Sequence, residues 1–576
     1  MWSHVKINRR DMPGKMKWIN KEANPRLQNV LSSELEVTPY FSQILINRGI
    51  KDTEEARAFL FGDISSCHDP YLLKDMDRAV QRIEQAVSSG EKILVYGDYD
   101  VDGITSTALL SGKLTELNAR HQTFIPHRMD DGYGLNGEAV KMAGDSGVGL
   151  LVTVDCGINS VEEVEIANNK GIDVIITDHH EVRKKALPNA YAVVSPRRED
   201  CRYPFKDLAG VGIAYKLAMA LSDNDLLPGK YLDLVALGTI ADVAPLNGEN
   251  RLLAKAGLER LRVTESPGIK ALIDIAGLEQ RGLTCRNIAF ALAPRINAMG
   301  RVGSADMALE LFITDDRRRA VEIAATLDRE NRNRQCLERE ILKSALEKAR
   351  RDVDLASEKI IVLADDSWHP GVIGIVASRI AEEFTRPAIL ISLDGENGKG
   401  SGRAAGGFDL FKAVNGANEH LVGFGGHEAA CGIKIKRNSV EGFRKKLNSI
   451  ADEYFLGNKE LSPELSIDVE MPLSQLGMKL IRELNLLMPH GPGNAEPVLA
   501  VRGLKVKTRP REIGKSGVKF LVTDGRVSAE AITFRKNFFY RPLPGETIDL
   551  AYTPSINSYN GVDSLQLNIR DIRPSE

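Results

Sequence analysis

The stretch KILVYGDYDVDG, residues 92–103, sets an apolar run directly ahead of three aspartates at alternate positions. Ile93-Leu-Val95 has the length and branching of a buried strand, and Gly97 punctuates its end. Asp98, Asp100 and Asp102 then crowd like charges together, a repulsive arrangement unless something cationic absorbs it. Alternation along an extended segment would turn Val101 away and leave the carboxylates on one side.

The same pattern recurs twice downstream. Leu150–Val154 runs into Asp155-Cys-Gly157, and Val174–Thr177 runs into Asp178-His-His180. Helix-length segments separate these strands from about residue 78 to 245, which predicts βαβ units and a parallel sheet. Ligands of such sheets sit at the carboxyl ends of the strands, so three acidic strand ends converge on one crevice. Leu232–Ala241 reads as a helix, and Asp242 follows it. Any one of these clusters alone fits an ordinary turn or helix cap. Together, carboxylates and imidazoles suit Mn²⁺ or Mg²⁺ better than thiolate-loving metals. Two such ions about 4 Å apart would offset the repulsion and clamp an in-line displacement at phosphorus.

Further along, no glycine or proline occurs between Gly303 and Pro370. Asp315–Asp352 is dense in Arg, Glu, Ala and Leu and reads as a long, charged helix connecting two patterned regions, with a solvated coiled-coil arm as the alternative. A second α/β pattern follows, with strands at Ile360–Leu363 and Ala388–Ile391 and a helix at Gly374–Ile380. Gly398–Arg403 and Gly423–His427 read as glycine-rich turns. After about residue 460 short β-type segments dominate, as in a small barrel. From Val501 onward, 13 Lys and Arg stand against 8 Asp and Glu, while the whole chain carries a net charge of −3. Phe534–Arg541 interleaves aromatics with cations, the pattern of a surface that stacks bases beside phosphate contacts, or of an amphipathic strand.

At 576 residues the chain exceeds one hydrophobic core. Its six cysteines form no CxxC pair, which argues against a zinc ribbon or disulfide framework and for a reducing compartment. The N-terminus lacks the apolar core of a secretory signal, and no run of about 18 apolar residues occurs. A cytoplasmic protein without a membrane partner is expected. Residues 1–15 read as an appended or disordered extension ahead of Met16.

The order GDYDVDG (97–103), VDCG (154–157), TDHH (177–180) and ADVAP (241–245) resembles the DHH phosphoesterase superfamily. Within it, PRINAMGR (294–301), SGRA (401–404) and GGHEAACG (425–432) resemble the bacterial single-strand-specific DNA exonucleases. That resemblance spans about residue 45 to the end. It implies an α/β chain with a DHH catalytic domain at 46–310 after an N-terminal extension (1–45), a connecting helix at 311–355, a DHHA1 domain at 356–458 and an OB-fold barrel at 459–576. It also implies that Asp100 serves one metal and Asp102 the other, that Asp155 bridges both, and that His179 and Asp242 complete the second site. Asp98 and Asp178 would orient ligands, and His180 would stand beside the scissile phosphate. Many relatives carry histidine where this chain has Tyr96, which removes a nitrogen donor from the first site.

Arg295 and Arg301 are candidate phosphate clamps, with a buried salt bridge as the alternative for each, and Ser401, Arg403 and His427 a candidate terminal-phosphate pocket. Arg535, Lys536 and Phe538 are candidate strand contacts. The activity implied is 5′-to-3′ hydrolysis of single-stranded DNA in recombination and repair, by a monomer working with a helicase and single-strand binding protein. The alternatives are a DHH/DHHA1 phosphodiesterase for oligoribonucleotides or cyclic dinucleotides, whose chains are typically shorter and lack the barrel, and a catalytically weak scaffold.

Overall fold

A computed structural model describes residues 16–127, 134–182, 186–222, 229–302, 305–355, 357–455, 464–514, 517–534, 540–559 and 562–575. The chain divides into two compact units, Ile50–Arg332 with Asn485–Glu496, and Met1–Gly49 with Asn333–Leu484 and Pro497–Glu576.

The first unit is built on a five-stranded parallel sheet. Its strands are Lys92–Gly97, His121–Phe124, Val148–Val154, Asp173–Thr177 and Ala192–Val194. The Lys92–Gly97 strand lies between His121–Phe124 and Val148–Val154, and the latter pairs with Asp173–Thr177. The chain therefore steps to one side of Lys92–Gly97 and then returns to the other, which makes the end of that strand the topological switch point. Both faces are covered. Ile93, Val95, Val152, Val154 and Ile175 pack into one apolar cluster, and Leu94, Tyr96, Leu151, Val174 and Ile176 into another.

Register carries the acidic motifs to one level. Gly97 pairs with Val154, and Val154 with Thr177. The next residues, Asp98, Asp155 and Asp178, thus leave the sheet side by side.

The GDYDVDG segment corrects the extended reading. Helix Val101–Glu116 starts inside it, with Asp100 as N-cap accepting from Asp102 N (3.0 Å) and Gly103 N (3.1 Å). Asp102 sits in the first helical turn, where the positive end of the helix dipole favours a carboxylate.

In the second unit a five-stranded mixed sheet runs Leu421–His427, Ala430–Lys436, Asn397–Arg403, Ala388–Asp394, Ile361–Asp365. Helix Ile373–Phe384 contributes to the cluster on one face, and helix Val440–Phe455 to that on the other. The two glycine-rich stretches expected as turns are strands. In Asn397–Arg403 the glycines face Ile391, Ile433, Ile435, Cys431 and Leu410, whose side chains already fill the space a Cβ would need.

C-terminal to this sheet, strands Leu499–Val506, Thr547–Tyr559, Val562–Pro574, Ser528–Thr533 and Gly517–Thr523 follow one another in pairing order. The pairs Lys505–Thr523 and Val506–Val522 join the last to the first, closing a five-stranded barrel. The expected N-terminal extension is not separate from it. Lys17–Asn20 pairs in parallel with Glu464–Ile467, and Trp18 Nε1 donates to Asp571 (2.7 Å). Helix Arg317–Asp352 is continuous over 36 residues and passes through the boundary of the two units. No helix among the described residues is long and apolar enough to cross a membrane.

Candidate metal centre

Eight predicted residues meet at the carboxyl end of the parallel sheet. Asp98, Asp100 and Asp155 each offer an oxygen such that the three lie within 4.8 Å of one another. Asp102, His179 and Asp242 do the same, as do Asp155, His179 and His180. His179 Nε2 stands 3.1 Å from Asp155 Oδ1, 3.9 Å from Asp102 Oδ2 and 3.8 Å from Asp242 Oδ2. Asp155 belongs to two of these three clusters, and it holds a left-handed backbone at φ 62°, unusual outside glycine.

Helix Gly210–Ala220 supplies the counterweight for Asp102. Gly210 N donates to Asp102 Oδ2 and Val211 N to Oδ1, both at 2.8 Å. These are first-turn amides with no partner inside their own helix. Asp178 plays a different part. It accepts from Ile158 N (2.9 Å), His180 N (3.0 Å) and His180 Nδ1 (2.7 Å), so it fixes the imidazole of its neighbour.

Burial and mutual repulsion govern the titration. Burial, with the Asp100 charge, lifts Asp102 to about 7, and burial with Asp102 and Asp100 lifts Asp242 to about 9. Burial and Asp102 push Asp155 well above the carboxylate range. Burial and the neighbouring His180 lower His179 to about 4, which keeps it neutral, the form that ligates metals. Burial alone would lower His180, but its bond to Asp178 and the surrounding carboxylates raise it to about 9.

The residues fit divalent cations. Asp155 Oδ1 and His179 Nε2 are buried, and beyond their 3.1 Å approach to each other neither has a hydrogen-bond partner among the described residues. A carboxylate set repelling itself around a neutral imidazole is a donor set for Mn²⁺ or Mg²⁺.

Comparison with known proteins follows the same lines. Residues 92–239 match the DHH family N-terminal domain, 357–453 the DHHA1 domain and 467–571 the RecJ OB domain. The single-stranded-DNA-specific exonuclease RecJ of Escherichia coli is 34% identical over 566 residues, covering 94% of this chain and 96% of that protein. The chain belongs to the RecJ family. RecJ of Bacillus subtilis is 39% identical over 570 residues, covering 98% of this chain and 72% of its own. The crystal structure of RecJ in complex with Mn²⁺ from Thermus thermophilus superposes with a TM-score of 0.83 at 31% identity, covering 97% of this chain and 80% of that one.

Within this RecJ-family site, three placements bear on the expectation. Asp98 lies in the first cluster itself, beside Asp100 and Asp155. Tyr96 is fully buried in the face cluster it shares with Leu94 and Leu151, bonded through its hydroxyl to Gly134 O (3.1 Å) and Asn136 N (3.2 Å). Arg295 does not stand ready as a phosphate clamp. Nε and one terminal nitrogen contact Asp328 Oδ1 at 2.9 Å, and the other donates to Ala291 O (2.6 Å). The Arg301 side chain, with Arg535, Lys536 and Phe538, lies outside the described residues.

In the second unit Arg403 and His427 both pair with Ala430, and Ser401 and Gly425 both pair with Gly432. They form two rows on one face. A Cβ at Gly425 or Gly432 would meet nothing within 4 Å, so this floor is open.

Sequence reasoning missed Gly210 and Gly238. A Cβ on Gly210 would stand 2.5 Å from Asp155 Oδ1 and 2.9 Å from Asp102 Oδ2, and one on Gly238 2.8 Å from Asp102 Oδ1. Their only sequence signal is glycine at or within a helical pattern.

Proposed function

We propose that this chain is a metal-dependent exonuclease that hydrolyses single-stranded DNA to mononucleotides in the 5′-to-3′ direction, in DNA recombination and repair. The observation that carries the reading is Asp155: buried, held at a left-handed backbone angle, and common to the carboxylate cluster on one side and the imidazole cluster on the other. Asp98 and Asp100 would hold one Mn²⁺ or Mg²⁺ against it, and Asp102, His179 and Asp242 the other. Such ions, when bound, activate water for in-line attack and neutralise charge on the phosphate oxygens.

The chain's own groups do the rest. Asp178 orients His180, whose half-exposed ring would serve as a hydrogen-bonding or electrostatic contact to a phosphate. The first-turn amides of Gly210 and Val211 hold Asp102 in a single orientation. On the open floor of the second unit, Arg403 and His427 flank Gly425 and Gly432, and a backbone phosphate can approach closely where no side chain intervenes. The closed barrel with exposed Lys505, Lys507, Arg509 and Arg511 supplies a grip on a longer strand. A small-substrate phosphodiesterase has no use for that grip. We place the enzyme in the cytoplasm, as a monomer that takes single strands from a helicase and single-strand binding protein.

The test is digestion of end-labelled single- and double-stranded DNA with and without Mn²⁺. Mononucleotide release confined to single strands and to metal supports the reading. Equal cutting of duplex, or cutting in chelator, refutes it.

A further inference from the structure

Helix Gly248–Arg262 opens with three consecutive polar residues that are almost wholly buried: Glu249 at 2% exposure, Asn250 at 0% and Arg251 at 1%. The first turn of a helix normally leaves such side chains in water. Here each reaches a different part of the same unit. Glu249 accepts from His68 N (2.8 Å) and Tyr203 Oη (2.6 Å) and pairs with Lys216 Nζ (2.7 Å). Arg251 donates to the carbonyls of Phe59 (2.6 Å), Leu486 (2.9 Å) and Met488 (3.0 Å). Both brace the scaffold.

Asn250 differs, because its partners lie on the two loops that feed the metal centre. Its Oδ1 accepts from Ala209 N (3.2 Å), and its Nδ2 donates to Asp207 O (2.6 Å) and Pro245 O (3.1 Å). Ala209 directly precedes Gly210 and Val211, whose amides grip Asp102. Pro245 ends the loop Asp242-Val243-Ala244-Pro245 that delivers Asp242. That loop is strained: Val243, β-branched and 64% exposed, sits at φ 62° immediately after the aspartate. A left-handed valine persists only where the flanking chain is pinned. The pins beyond it are Asn250 on Pro245 O and the bond from Leu246 N to Pro492 O (2.7 Å).

We propose that Asn250 is a positioning residue of the metal centre, its carboxamide locking the Ala209 and Pro245 loops together so that Asp102 and Asp242 face one ion. The inference rests on the ligand reading proposed above. The chemistry demands a carboxamide: one acceptor and two donors in a single planar group. Aspartate would keep the acceptor but aim a second oxygen at two carbonyls.

The test titrates Mn²⁺ alone into the metal-free full chain by calorimetry, comparing wild type with Asn250→Ala and Asn250→Ser, alongside thermal unfolding without metal. Wild type binds at two sites. In the variants one site weakens by about 10- to 100-fold while the other is unchanged, measured well below the unfolding transition. If both affinities stay at wild-type values in a folded variant, Asn250 braces the fold only and the proposal fails. Should Asn250→Ala not fold, Asn250→Ser decides by the same two affinities. His179→Ala separates ligand from positioning residue. If it leaves both binding steps intact, the ligand reading itself is wrong. If it removes a step and the Asn250 variants do not, only the positioning role is lost.

Discussion

Gly210→Ala tests the metal centre with one methyl group. Gly210 is the first residue of its helix, its φ is unexceptional, and alanine is the better helix former, so local propensity favours the change by a fraction of about 1 kcal/mol. The added Cβ, however, would lie 2.5 Å from Asp155 Oδ1 and 2.9 Å from Asp102 Oδ2, where ordinary contact begins near 3.4 Å. The Asp155 oxygen must retreat by roughly 0.9 Å, and metal–ligand distances tolerate only about 0.2 Å. A displacement of that size predicts a loss of about 10- to 100-fold in Mn²⁺ affinity, or about 1.4–2.8 kcal/mol. Gly212→Ala, two residues on, is the control for overpacking itself, because the atoms nearest its Cβ belong to the buried Leu208 side chain and not to an aspartate. Calorimetric titration with Mn²⁺ and metal-dependent mononucleotide release read the outcome. A Gly210→Ala protein that binds Mn²⁺ as the wild type does refutes the reasoning that Asp102 and Asp155 are ligands held in place by this helix.

Stability without metal should fall as pH rises. Asp102 and Asp242 carry folded-state values raised to about 7 and about 9, so their contribution is fully present below the unfolded value and is lost as pH climbs through the folded ones. Mn²⁺ at about 100 times its Kd should restore ~2.7 kcal/mol at neutral pH, read as a rise in Tm that grows with pH; a pH-independent Tm increment contradicts the carboxylate reading. Arg403→Ala should raise KM for short single strands with little change in kcat, since its place is binding; a fall in kcat alone would count against the open floor as a phosphate site. Lys505→Ala with Lys507→Ala should lower the slope of log affinity against log salt by about 0.7 per lost phosphate contact on single strands. An unchanged slope would make these exposed lysines bystanders. Truncation at residue 460 is a poorer probe of the barrel, because it also removes the Leu486 and Met488 carbonyls that hold buried Arg251.

Much of the catalytic site was legible because a parallel sheet aligns its strand ends, and three of the five strands run straight into an aspartate. Three in-register neighbours, Gly97, Val154 and Thr177, turn a sequence pattern into a cluster. The DYDVDG segment was misread because a strand end and a helix N-cap share the same acidic vocabulary, and only the amides of Asp102 and Gly103 decide between them. Gly398–Arg403 read as a turn because glycine signals turns locally, whereas here isoleucines from neighbouring strands exclude a side chain. The pairing of Lys17–Asn20 with Glu464–Ile467 has no local signature at all. Asn250 escaped notice because Gly-Glu-Asn-Arg looks like any solvated helix start, and its burial is set by chain segments far away in sequence.

The most direct test of the central claim is Mn²⁺-dependent release of mononucleotides from 5′-labelled single-stranded DNA by Asp155→Asn. The expected result is a folded protein, with unfolding in chelator no lower than wild type because a buried, repelled charge is gone, and no detectable release. Release at the wild-type rate would contradict the bridging role of Asp155 and, with it, the metal centre as assigned.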